Sequence, residues 1–215
     1  MARVRKITRN PKNKNYYIVD TCFLVNKYLP ENNFPELEKN RIIESKKWWK
    51  EIDSQLKKGK AKVFVPDICI AEAFKVLAKK YFSERKITNN EYSKIKELIG
   101  KDIRTTTREL KANNRKIDYH DISTNRDIII STDRFLEAFS KHNPSVQIAD
   151  LILLATAKYL IDFFDFDIND MQIITLDNKL RNGANSLKDV PYTYDPTLKI
   201  NRAEVIFIDK ENEEI

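Results

Sequence analysis

Two rhythms of hydrophobic and polar positions alternate along the chain: short runs of consecutive apolar residues, and longer stripes at the spacing of a helix. Tyr16 to Leu24, YYIVDTCFL, is an apolar β-type run that carries a single acid, Asp20. A run without polar alternation fits a strand buried on both faces, as in a parallel sheet. Such a strand would deliver Asp20 to its carboxyl end, where open α/β sheets place their ligand crevice. Lys62 to Val65 (KVFV), ended by Pro66, and Gln172 to Leu176, followed by Asp177, read as two further strands. Glu204 to Ile208 (EVIFI) reads as a last strand, at a sheet edge.

Between these runs the spacing turns helical. Asn32-Asn33-Phe34-Pro35 offers a cap and a proline near a first turn, after which Leu37, Ile42, Ser45, Trp49, Ile52 and Leu56 recur until Gly59 stops the helix. Asp67 to Phe82 reads as a second helix, with Glu72 in its first turns. Thr88-Asn89-Asn90-Glu91 has the spacing of a capping box, and Tyr92, Ile95, Ile99 and Ile103 form a stripe running toward Asn113. A polar link from Asn114 to Arg126 leads to Ile128-Ile129-Ile130, a strand or a buried turn, after which Ser131 or Thr132 can cap a short helix through Phe139. Pro144-Ser145 opens the most apolar helix, Val146 to about Phe163, with Asp150 in its first turns. Asn178 to Arg181 reads as a helical turn and 182–202 as loop. The recurring order of strand, helix and strand predicts an α/β fold with a mainly parallel central sheet and helices on both faces. Residues from about 83 to 143 form a helical insertion between the second and third acid-bearing segments, a cap or a partner surface.

Composition narrows this picture. With 215 residues and 41% hydrophobic content, the chain can bury one ample core and is short for two domains. The expected organisation is a basic arm over 1–15, one domain over 16–210 and a tail over 211–215. Three glycines argue against a glycine-rich nucleotide cradle. There is no run of about 18 apolar residues and no secretory pattern at the start, so a soluble, cytoplasmic protein without a membrane partner is expected. Cys22 and Cys69 are too few for a disulfide framework. The net charge is +7, and Arg3, Arg5, Lys6, Arg9, Lys12 and Lys14, with no acid among the first fifteen residues, hold +6 of it. That favours a polyanionic partner such as nucleic acid, although a merely solubilising tail has the same composition.

Acids set where the hydrophobic pattern resists them carry the chemistry. Asp20 ends one apolar run, Asp177 ends another, Glu72 follows Ile68-Cys69-Ile70-Ala71, and Asp150 lies in Ile148-Ala149-Asp150-Leu151-Ile152. A carboxylate among apolar groups is costly to bury unless something pairs with it. Strand ends and helix starts of a parallel sheet open on one rim, so the four predict a shared cation. Oxygen-only ligands suit Mg²⁺ or Mn²⁺. Zinc is disfavoured, because His120 and His142 lie far apart with no accompanying cysteine spacing. A divalent ion so held acidifies bound water and stabilises charge on phosphoryl oxygens. Thr21 and Thr175 neighbour the acids and could hydrogen-bond a carboxylate, a water or a phosphate. Each acid also has an ordinary reading: Glu72 on a helix surface, Asp150 against a helix macrodipole, Asp20 and Asp177 at turns. Asp165 to Asn169 mimics the opening of a calcium loop, but Asp170 replaces its glycine and Leu176 its glutamate. A nucleophilic Cys22 or Cys69 would need a partnered histidine that the spacing does not offer.

VDT at 19–21, Glu72 in PDICIAEAF, Asp150 in ADLILLATA and Asp177 in ITLD resemble, in the same order, the acid motifs of PIN-domain nucleases. The resemblance spans roughly residues 16–210 and implies a three-layer α/β/α fold and a metal-dependent endoribonuclease, similar to the toxins of bacterial toxin–antitoxin pairs and to RNA-processing nucleases. It implies Asp20, Glu72, Asp150 and Asp177 as ligands of Mg²⁺ or Mn²⁺, with Thr175 supporting them. Cys22 departs from the small polar residue common there, and the 83–143 insertion is longer than in compact toxin forms. Candidates for drawing in the RNA backbone are the N-terminal arm and Arg104, Arg108, Lys111, Arg115 and Lys116. The partners expected are RNA, an inhibitory antitoxin-like protein and a second copy of the chain. The alternatives are a catalytically inactive scaffold of the same fold, binding RNA or a partner, and a DNA-directed nuclease.

Overall fold

The structure is a computed structural model, which describes residues 14–103, 119–140 and 146–198. The elements in order are β1 (Asn15–Val19), α1 (Thr21–Asn26), α2 (Glu36–Lys57), β2 (Ala61–Pro66), α3 (Asp67–Ala78), α4 (Asn89–Ile103), β3 (Tyr119–Ile122), α5 (Arg126–Ser140), α6 (Ile148–Phe164), β4 (Met171–Ile174), α7 (Asn178–Ala184) and β5 (Tyr192–Tyr194). A π-helical turn, Lys79–Ser83, extends α3, and a 3-10 turn, Ile168–Asp170, precedes β4.

The five strands form one sheet in the order β3-β2-β1-β4-β5, every pair parallel. Parallel neighbours require crossover connections, which the intervening helices supply. β1 is central and buried along its whole length, as is β4 beside it, so helices must cover both faces. On one face Tyr17 donates its hydroxyl to Gln55 Oε1 of α2 at 2.8 Å. On the other, Tyr16 stacks on Phe166 just beyond α6, with centroids 4.1 Å apart. The result is the three-layer α/β/α arrangement, and the buried residues of all layers merge into one core.

The order of strands fixes the functional rim. From β1 the chain moves outward to β2 and β3, then returns to the other side of β1 for β4 and β5. The carboxyl ends of β1 and β4 therefore form the topological switch point, where a crevice opens because the connections diverge to opposite faces.

Several sequence expectations are corrected. The run Tyr16–Leu24 is not one strand: it breaks at Asp20, whose carboxylate accepts a hydrogen bond from Thr21 N at 2.6 Å and caps α1. An acid that can satisfy a free amide ends a strand more cheaply than a strand can carry it inward. The segment 83–143 is not purely helical, because Tyr119–Ile122, inside the expected polar link, pairs with β2 as an edge strand. Ile128–Ile130 lie in α5, opened by Asn125, whose side chain accepts from Ile128 N at 2.9 Å. There Ile128, Phe135 and Phe139 point inward at helical spacing, while Ile129 and Ile130 face water. The expected loop 182–202 contains β5. The helix stripe beyond Ile103, the strand Glu204–Ile208, His142, most of the basic arm and the tail lie outside the described residues. Among the described residues, no helix is long and apolar enough to cross a membrane.

Candidate functional site

Asp20 leaves the end of β1 with its backbone N–H donated to Ile174 O of β4, 2.9 Å away. This laces the two central strands together at the switch point. Its side chain is held on both oxygens: Oδ1 accepts from Thr21 N, and Oδ2 accepts from Thr175 Oγ1 at 2.9 Å. Thr175 Oγ1 in turn accepts from Asp177 N at 3.0 Å. The hydroxyl thus forms a chain from the backbone of one acid to the carboxylate of another far earlier in the sequence.

The other acids are placed with equal economy. Asp177 caps α7, its Oδ1 accepting from Lys179 N at 2.6 Å and Leu180 N at 3.1 Å. Asp150 closes a capping box with Gln147, accepting from Gln147 N at 3.2 Å on Oδ2. Glu72, one turn into α3, accepts from Thr21 Oγ1 at 3.0 Å on Oε2. Three of the four acids therefore perform the capping role that an ordinary reading gives them. Capping occupies only Oδ1 of Asp177 and Oδ2 of Asp150, and it aims each side chain by its helix start.

All four share one electrostatic field. Burial, opposed by the Thr175 hydrogen bond and reinforced by Asp150 and Glu72, pushes the Asp20 carboxyl up to about 7. Burial pushes Asp150 to about 6, with Asp177 and Glu72 adding repulsion against the hydrogen bond from Gln147. The exposed Cys22 thiol feels the same field: partial burial and the charges of Asp20, Glu72 and Asp177 raise it to about 12. Asp20 and Asp150 are thus both displaced upward by burial and by their acidic neighbours, and no basic side chain is bonded to any of the four among the described residues.

Of the residues expected to build the site, Asp20, Glu72, Asp150, Asp177 and Thr175 come to this rim, and Thr21 joins them. Asp20 is only 9% exposed, Glu72 and Asp150 are half-buried, and Asp177 is exposed. A set of oxygen donors around a desolvated carboxylate fits a hard divalent cation in its chemistry. Among the described residues, however, no group of three or more His, Cys, Asp and Glu side chains closes into a ready ligand set. His120 lies apart, its ring 5.6 Å from that of Phe64. Arg104, Arg108, Lys111, Arg115 and Lys116 lie outside the described residues. A separate groove of about 700 Å³, lined by Leu37, Glu38, Asn40, Arg41, Glu44 and Thr197, includes none of Asp20, Glu72, Asp150 and Asp177.

One further acid ends a strand of the sheet. Asp195 follows β5 as Asp20 follows β1, and is 2% exposed. Its Oδ1 accepts from Thr197 N at 2.8 Å and Thr197 Oγ1 at 2.7 Å, while Oδ2 stands 4.0 Å from Arg181 Nη1 of α7. Tyr192-Thr193-Tyr194-Asp195 carries the same signature as the longer runs, β-favouring residues ending in an acid, compressed into a strand of three.

The chain is thus a parallel three-layer α/β/α protein with an acidic rim at its switch point. No protein-family model matches its sequence, and no curated protein matches it. Among solved structures it is similar to that of VapBC2 from Rickettsia felis bound to a DNA fragment from their promoter, with a TM-score of 0.49 and 9% identity over 84% of this chain and 98% of that one.

Proposed function

We propose that this protein is a metal-dependent endoribonuclease of the PIN type, hydrolysing RNA phosphodiester bonds at the Asp20 rim. The observation that carries the proposal is the buried, upward-shifted Asp20 facing Glu72 and Asp150 with no basic partner, an arrangement that favours binding a cation. Asp20, Glu72, Asp150 and Asp177 would hold Mg²⁺ or Mn²⁺. When bound, the ion would supply an acidified water and a counter-charge for phosphoryl oxygens.

The chain's own residues do the rest. Thr175 fixes the rotamer of Asp20 and ties it to the backbone of Asp177, so the two central strands present their acids as a unit. Thr21 orients Glu72 across the gap between α1 and α3. The helix starts beneath Asp150 and Asp177 aim those side chains. Basic side chains, the N-terminal arm among them, would attract the phosphate backbone, and an inhibitory protein partner would be expected to cover the rim. Among the described residues no three His, Cys, Asp or Glu side chains close into a ready ligand set, which favours one second reading, a scaffold of the same fold that binds RNA without turnover.

The test is cleavage of RNA and of DNA by wild type, Asp20→Asn and Asp150→Asn, each with Mn²⁺ and with chelator. RNA turnover should require Mn²⁺ and fall at least about a hundredfold in both variants. Cleavage that persists in either variant would remove the acids from the mechanism. Binding without cleavage under every condition would favour the scaffold, and cleavage confined to DNA the deoxyribonuclease.

A further inference from the structure

The face of α3 that bears Glu72 continues outward as a row of exposed side chains. Lys75 and Lys79 follow Glu72 at i+3 and i+7 along one exposed stripe while Cys69, Ala73 and Leu77 turn into the core, and Phe82 stands exposed in the π-helical turn that continues the helix. Lys75 has no acid partner among the described residues, and Lys79 reaches Glu84 only at 3.5 Å with its side chain 69% exposed. Lys80 and Lys86, by contrast, are tied down by Glu38.

Phe82 is 67% exposed. It sits in the π-helical turn Lys79–Ser83, an irregularity that often accompanies function. The ring is buttressed rather than buried: Tyr81 meets it at 4.6 Å and 62°, and Tyr92 at 5.8 Å and 71°. Tyr81 and Tyr92 stack on each other at 4.9 Å, with Lys96 Nζ 5.2 Å above Tyr92. Between residues 72 and 96 seven lysines and arginines stand against three acids, a net of +4.

We propose that this stripe is a single-stranded RNA track, with Lys75 and Lys79 contacting phosphates and Phe82 stacking on a base a few nucleotides from the bond cut at the acidic rim. The inference rests on the ribonuclease reading of that rim. Glu72 and Phe82 are separated by ten residues of α3 and its π-helical extension, at most about 15 Å along the axis at the α-helical rise of 1.5 Å per residue, so one extended strand can span both. Basic side chains that follow the backbone, joined to an aromatic platform that accepts any base, are how proteins hold single strands without reading sequence. A rigid ring already held by its neighbours loses little freedom on stacking.

Fluorescence anisotropy with a labelled uridine decamer in chelator reads binding without turnover, on the full chain. Phe82→Ala should weaken binding about fivefold or more, Phe82→Trp should restore it, and Lys75→Ala with Lys79→Ala should weaken it and flatten its salt dependence. Under Mn²⁺ the Phe82→Ala penalty in KM should grow from a trinucleotide to the decamer. Equal affinity of Phe82→Ala and wild type, failure of Trp to rescue a folded protein, or a penalty independent of length would overturn the track. Cleavage that stays intact while Phe82→Ala binds normally defeats this inference alone. Phe82-dependent binding without cleavage defeats the ribonuclease reading alone.

Discussion

Asp20 is the residue on which the chemistry and the stability of the fold conflict. Its carboxyl is raised to about 7 in the folded chain, against about 4 when unfolded. The native state therefore holds a proton that the unfolded state has released between these values. The stabilisation is complete below pH 4 and is lost as pH rises through 7. Asp150, raised to about 6, contributes in the same sense over a narrower window. Asp20→Asn should therefore gain thermal stability relative to wild type as pH rises from 5 to 8, each kcal/mol appearing as about 2–4 °C in Tm. Mn²⁺ should raise the wild-type Tm more at pH 8 than at pH 5, because only ionised carboxylates reward it, and chelator should reverse the gain. Melting curves at the two pH values check both statements. A Tm difference that does not move with pH would mean that Asp20 is already ionised at pH 5.

At the scale of elements, the sheet's acid-bearing strands were legible and its edges were not. β1, β2 and β4 announce themselves because strands buried on both faces must be apolar throughout, and the acid after β1 or β4 stands out against that background. β3, with the sequence YHDI, is half-exposed at an edge and keeps a polar composition that no periodicity distinguishes from loop. β5 is three residues long, below the length at which a run becomes a signal, so Asp195 was lost with it. The Asp150 helix was plain, whereas α5 was obscured by Ile129 and Ile130, which look like core and face water. Packing between α5 and α7 is equally invisible in sequence: a Cβ on Gly183 would lie 2.2 Å from Phe139 Cε1. Gly183→Ala should accordingly destabilise by about 1–3 kcal/mol, the usual cost of overpacking, despite alanine's better helix propensity. A chemical denaturation midpoint that does not fall would show that Phe139 swings aside freely.

For the molecule as a whole, the ribonuclease reading makes charge the means by which RNA would be drawn in. Six of the seven net positive charges precede Tyr16. Removing residues 1–13, which carry five of those side chains, should lower RNA affinity at low salt. It should also reduce the slope of log affinity against log salt, by about 0.7 for each phosphate that the arm neutralises on a single strand. Filter binding across a salt series measures this directly, and an unchanged slope would assign the arm a role other than neutralising phosphates. Scaffolds of the α/β class host many chemistries, so it is the rim and not the layering that carries the functional argument.

The neighbours at the centre of the sheet also have a history in time. Asp20 is made 155 residues before Thr175, which together with Asp177 completes its surroundings. A nascent or prematurely ended polypeptide that stops before β4 can bury β1 against β2, yet it holds only part of the acidic rim. On the ribonuclease reading, the acids could act together only after β4 and the start of α7 have been made and joined to β1.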